Sequence, residues 1–193
     1  MVIIPRYRIE DKHEIYKGCP VYILISLVLS FCPVCSTPLN YRDSRYRVMK
    51  DYGGKKAWLI INRLECPSCK HLHNELPDFL SPYKHYKNSV IEDVVDEVVT
   101  PQSPEVEDYP CERTMHRWHH WMLGNKVQID GLIKSIGSQC SKEFKNLIFS
   151  TDSPMEELRK NGSGWLGTIN RIIYNSHQKI PPVPPEAFAP TLF

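Results

Sequence analysis

No stretch of this sequence is apolar for long enough to cross a bilayer as a helix. The longest such run, residues 21–31, has eleven residues, where about 20 are needed. It fails as a signal peptide too, because Asp11 and Glu14 lie before it and no small-residue cleavage site follows. Bulky Phe31 ahead of Cys32 argues against a lipidated cysteine. The run therefore reads as a buried strand or short core helix, with no membrane partner and a cytoplasmic location. Catalytic signatures are also missing. There is no G-x-S-x-G, no phosphate-binding P-loop and no H-E-x-x-H. Residues after 124 read as helical, whereas a carboxylate set for two-metal phosphoryl transfer usually needs a large mixed sheet. The chain is expected not to be an enzyme. Net charge is only +2, so any basic surface has to come from local clustering.

Cysteine is present, and its spacing carries the strongest signal. Cys32-Pro33-Val34-Cys35 and Cys66-Pro67-Ser68-Cys69 repeat one C-P-x-C form, with 30 residues between Cys35 and Cys66. Two cysteines three positions apart aim both sulfurs at one point if the chain turns tightly, and proline helps to set such a turn. Two such knuckles supply four thiolates in a tetrahedron, as a structural Zn²⁺ requires. The alternatives are four ordinary thiols or two disulfides. Four cysteines close the coordination shell, so the one expected Zn²⁺ is structural rather than catalytic. Seven cysteines in all leave Cys19, Cys111 and Cys140 as scattered, reduced thiols.

Between the knuckles, residues 41–50 and 56–65 flank Asp51-Tyr52-Gly53-Gly54 and predict a β-hairpin, with a third strand at 71–76. Residues 41–70 hold eight cations against three anions, interleaved with Tyr41, Tyr46, Tyr52 and Trp58. This is either a solvated basic face or a surface for nucleic acid, in which Arg45, Arg47, Lys55 and Lys56 are candidate contacts.

Residues 88–99 read as a helix, with Ser89 and Glu92 in capping-box spacing and Ile91, Val94, Val95 and Val98 as its apolar stripe. An acidic, proline-rich link follows. Residues 112–123 predict a further helix, which Gly124-Asn125 breaks or kinks before a continuation at 129–136. On it, Arg113, His116, Arg117 and His120 share one face, and Met115, Trp118 and Met122 the opposite one. Such a helix packs its back and presents guanidinium and imidazole to DNA, or is an ordinary amphipathic helix. His116 and His120 at i, i+4 also suit a metal, but no third ligand lies nearby in sequence. Ser153-Pro154 opens another helix, and Trp165, Ile169, Ile172, Ile173 and His177 mark the last.

The first knuckle, the hairpin, the second knuckle, His73-Asn74-Glu75-Leu76-Pro77, Pro82-Tyr83-Lys84 and Arg113-Thr114-Met115-His116-Arg117-Trp118 together resemble a bacterial (Firmicutes) family, a domain of unknown function. That family is similar to the N-terminal zinc-ribbon and helix-turn-helix region of insertion-sequence transposases. The late segment 165–177, with Asn175-Ser176-His177, is similar too. The resemblance implies zinc on Cys32, Cys35, Cys66 and Cys69 and a DNA-reading role for the helix from Glu112. This chain departs from the pattern in its long acidic link and its apolar N-terminal segment.

The expected architecture is α+β. An N-terminal segment (1–31) precedes a small zinc ribbon (32–80), a helix-turn-helix-like helical region (81–180) and a proline-rich tail (181–193). The expected function is a zinc-containing DNA-binding protein linked to a mobile element or to transcriptional regulation. The alternative is a zinc-ribbon module that docks onto a transposase or another protein without binding DNA itself.

Overall fold

The computed structural model describes residues 1–139 and 153–182. Among them, one mixed sheet holds β1 (Val2–Ile3), β2 (Tyr7–Tyr16), β3 (Cys19–Ser26), β4 (Asn40–Lys50), β5 (Lys56–Glu65) and β6 (Leu72–Glu75). Helices α1 (Asn88–Val95), α2 (Glu112–Ser138), α3 (Pro154–Lys160) and α4 (Trp165–Asn175) follow. The fold is thus α+β, a sheet carrying four clustered cysteines and then helices. No helix among the described residues is long and apolar enough to cross a membrane.

The hairpin forms where the pattern puts it. β4 and β5 pair antiparallel from Lys50–Lys56 to Asn40–Glu65. A 3-10 turn, Tyr52–Gly54, joins them, with Gly53 and Gly54 at φ of 65° and 64°, a region that glycine enters without a Cβ clash. β6 supplies the third strand. The N-terminal residues enlarge this ribbon. β3 lies parallel to β5, β2 antiparallel to β3, and β1 parallel to β6.

The sequence reading assigns no element to residues 7–16, which form β2. It is an exposed edge strand, laced by Arg8–Glu10 and Lys12–Glu14 ion pairs at 2.8 and 3.3 Å, and charge of this kind discourages pairing with other chains. The apolar run is buried only in part. Val21 and Leu24 enter the core, but Leu27, Val28, Leu29 and Phe31 are exposed. Those four lie past the end of β3, where the chain crosses to the first knuckle.

One face of the sheet packs Leu24, Met49, Leu59 and Ile61 against Leu76 and Leu80. A second core joins the helices, with Val90, Ile91 and Val94 against Met115, Trp118, Met122, Ile169 and Ile173. Polar links bind the two halves. The Asn175 amide accepts from Ile4 N (2.8 Å) and donates to Ile4 O (3.0 Å), as a strand neighbour would. Asn170 Nδ2 donates to Ser81 Oγ, and Ser81 Oγ to Asn88 Oδ1, both at 2.8 Å and both buried.

Four helical details differ from expectation. The first helix ends at Val95 and not at 99, because Glu97 turns left-handed (φ 58°), which leaves Val98 exposed. The capping box does not form, and Lys87 caps α1 without a side-chain bond. Glu92 turns inward instead and accepts from Gly164 N (2.8 Å) and Leu166 N (2.9 Å) at the start of α4. Residues 124 and 125 do not break α2. Asn125 is buried, and its Nδ2 donates to Trp121 O (2.8 Å) within the helix and to Pro181 O (3.4 Å). Finally, His177 lies beyond α4, exposed at φ 63°.

Burial holds the Glu92 carboxyl above the usual range, outweighing the two amides that favour its charged form. Glu92→Ala would strip the buried Leu166 amide and the half-buried Gly164 amide of their partner. A loss of roughly 2–4 kcal/mol is expected, read as a lower urea midpoint, with partial recovery in Glu92→Gln. An unchanged midpoint in Glu92→Ala would show that those donors find other partners.

Candidate functional site

The two knuckles are one loop built twice. Cys32 N donates to Thr37 O (2.9 Å) and Ser36 N to Cys32 O (2.8 Å); Cys66 N donates to His71 O (3.0 Å) and Lys70 N to Cys66 O (3.0 Å). Ser36 and Lys70 each follow the second cysteine, and both adopt left-handed φ, 57° and 60°. Non-glycine residues reach that region at some cost, so the shared strain marks a fixed geometry. Ile3, Leu39 and Leu64 pack around Cys32 and Cys66.

The loops converge so that the four Sγ atoms all lie within 4.8 Å of one another. Cys35 and Cys66 are 3.4 Å apart, Cys32 and Cys69 3.5 Å. A tetrahedral ion with metal–sulfur bonds of about 2.3 Å sets its sulfurs about 3.8 Å apart, whereas a disulfide needs about 2.05 Å. Sulfurs this close cannot all carry charge unless a cation shares them. Hydrogen bonding at Thr37 draws the Cys35 thiol down to about 6. Cys69 is lowered by the backbone at His71, but burial and the neighbouring thiols push it up to about 12. The donor set therefore fits a metal ion. His73 Nε2 lies 3.6 Å from Cys32 Sγ and His71 Nδ1 3.2 Å from Cys69 Sγ, positions from which imidazole N–H groups orient ligand sulfurs. The sequence reading gave these histidines no role. Their signal is the i, i+2 spacing of His71 and His73 directly after the second knuckle.

Cys19 and Cys111 are free thiols outside the cluster, at the start of β3 and at the N-cap of α2. Cys140 lies outside the described residues.

The helix from Glu112 divides as expected. Met115, Trp118 and Met122 are buried, whereas Arg113, His116, Arg117 and His120 are exposed. These four line one groove of about 1070 Å³, and the 83–86 segment and Lys50 form its other side. Glu112, 3.3 Å from His116 Nε2, is its one carboxylate lining residue among the described residues. Lys84 Nζ lies 4.3 Å from the Trp121 ring centroid and Lys50 Nζ 5.2 Å from that of Tyr86. Burial, and then Arg117, lowers the Lys84 ammonium to about 8. Sequence reasoning gave Lys50 and Lys84 no site role, because only the fold brings the end of β4 and residue 84 to α2.

The hairpin cations go elsewhere. Arg47 Nη2 donates to Ser81 O (2.9 Å) and Lys84 O (2.7 Å). Lys55 and Lys56 line a separate hollow beside Tyr22 and Phe79, with Lys56 Nζ 4.9 Å from the Trp58 ring. Arg45 is exposed on β4. The hairpin turn also meets the acidic link, where Tyr52 and Tyr109 both donate to Asp93 Oδ2, at 2.9 and 2.7 Å.

Residues 32–118 match the family model described as a domain of unknown function (DUF6431). The match opens on Cys32 and closes on Trp118, so it holds both knuckles, the hairpin and the start of α2. No curated protein and no solved structure matches the chain.

Proposed function

We propose that this chain is a zinc-containing DNA-binding protein. One structural Zn²⁺ on Cys32, Cys35, Cys66 and Cys69 fixes the ribbon, and the basic face of α2 contacts DNA. The observation that carries this reading is the clustering of Arg113, Arg117, Lys84 and Lys50 with His116 and His120 in one groove, where Glu112 is the one carboxylate among the described residues. Thiolate softness and tetrahedral spacing favour zinc over harder cations, and a four-thiolate shell leaves no open position for catalysis. A mobile element or transcriptional regulation is the setting that goes with this reading.

The test is titration of labelled DNA, single-stranded and duplex, at several salt concentrations. Affinity should fall steeply with salt. Arg113→Ala/Arg117→Ala should weaken binding roughly 5- to 100-fold, on the scale of one lost base or phosphate contact. Binding as tight as the parent's in the folded double variant would remove α2 from the interface. A second reading rests on the exposed Leu27, Val28, Leu29 and Phe31 next to the first knuckle, a surface that suits docking onto a transposase or other protein. It takes over if the parent shows no salt-dependent DNA binding.

A further inference from the structure

The basic face of α2 is the wall of a concavity, and this restricts what it can hold. A helix that reads a duplex must project as a ridge into a major groove about 12 Å wide. Here Arg113 and Arg117 instead line, together with Tyr83 and Lys84, an open groove of about 1070 Å³, the scale of a ligand-binding cleft. The opposite wall is held rigidly. Arg47, reaching from β4, donates to the carbonyls of Ser81 (2.9 Å) and Lys84 (2.7 Å), and Lys84 N bonds Ser81 O at 3.2 Å. At the apex of this clamped turn, Tyr83 sits at a left-handed φ of 63° and is 70% exposed. Pro82 and Tyr83 are the central residues of that turn, which accounts for the positive φ at Tyr83 and leaves its ring in solvent at the rim of the groove, where a base can reach it.

The cations are placed in the same way. Lys84 rests over Trp121, Lys50 over Tyr86, and Tyr86 meets Trp118 edge-on at 5.3 Å. Among the described residues no carboxylate pairs with Lys50, Lys84, Arg113 or Arg117. Unpaired cations along a groove with an exposed ring at its rim suit a polyanion that offers aromatic faces.

We infer that this groove takes an unpaired nucleic-acid strand, with phosphates on Lys50, Lys84, Arg113 and Arg117 and one base stacked on Tyr83. The inference rests on the nucleic-acid reading above and specifies its substrate. A duplex hides its base faces and cannot use Tyr83.

The experiment is fluorescence anisotropy on the zinc-loaded full chain with two labelled probes, an oligo-dT of about twelve nucleotides and a self-complementary hairpin duplex. The oligo-dT should bind more tightly than the hairpin. Tyr83→Ala should weaken oligo-dT binding roughly five- to hundredfold, the value of one stacked base, and leave the hairpin unaffected. Tyr83→Phe, which keeps the ring, should bind as the parent does and so controls for folding. Lys84→Gln should weaken oligo-dT binding and flatten its salt dependence. Tighter binding of the hairpin, or parent-like oligo-dT binding by Tyr83→Ala, would overturn the single-strand assignment and leave the DNA reading in place. Binding of neither probe by the parent would overturn both.

Discussion

Cys66→Ser is expected to release the metal and loosen the sheet around it. Protein purified without added zinc should carry close to one equivalent of zinc by elemental analysis, and this variant far less. The effect should be large because Cys66 is fully buried, receives the Cys69 N–H at 3.4 Å and packs with Ile3, Leu39 and Leu64. Structural zinc supplies about 10–16 kcal/mol in isolated zinc-finger peptides. Only part of that should be lost here, since the apolar clusters under the sheet and between the helices do not depend on the metal. Protease cleavage should therefore concentrate at the two knuckles while the helical content stays. Serine at Cys19, Cys111 and Cys140 together should leave the metal in place, since none belongs to a paired motif. Full zinc and a parental melting temperature in Cys66→Ser would refute the metal site.

The knuckles were legible in the sequence because their chemistry is local. A C-P-x-C loop needs only a tight turn, and the structure builds it twice with matching hydrogen bonds. The β4–β5 hairpin was legible for the same reason, its Gly-Gly turn lying between two β-prone flanks. So was the two-faced start of α2, since burial at Met115, Trp118 and Met122 follows from helical spacing alone.

Long-range effects decided what was missed. β2 has no clean alternation, and it exists because β3 offers it an edge. Glycine and asparagine at 124 and 125 carry a breaking signal of about 1 kcal/mol, which the packing of a 27-residue helix overrides. Glu92 has capping-box spacing, but the partners it finds are 72 and 74 residues away. The basic groove was half legible. Periodicity grouped Arg113, His116, Arg117 and His120, whereas Lys50 and Lys84 join them only through the pairing of Lys50 with Tyr86 beside the end of β4. Arg47 shows the reverse. Composition placed it with the DNA candidates, yet its guanidinium is directed at two carbonyls of the 81–84 turn.

Trp118→Ala set beside alanine at Arg113 and Arg117 should separate folding from recognition on a single helix. Trp118 is 5% exposed, lies in the helical core and takes the Tyr86 ring edge-on at 5.3 Å. Its removal should cost roughly 3–5 kcal/mol, a large share of a total stability of about 5–15 kcal/mol. The exposed neighbours Arg113 and Arg117 should behave differently, and changing them to alanine should alter stability by no more than about 0.5 kcal/mol. Urea unfolding of the zinc-loaded protein, followed by far-ultraviolet circular dichroism, measures both. Trp118→Ala should also open the groove wall that Tyr86 forms and so lower nucleic-acid affinity, while the zinc content holds, because the cysteine cluster packs in a different core. Parental stability in Trp118→Ala would mean that the back of α2 is not packed as described, and the basic face it positions would then have no fixed orientation.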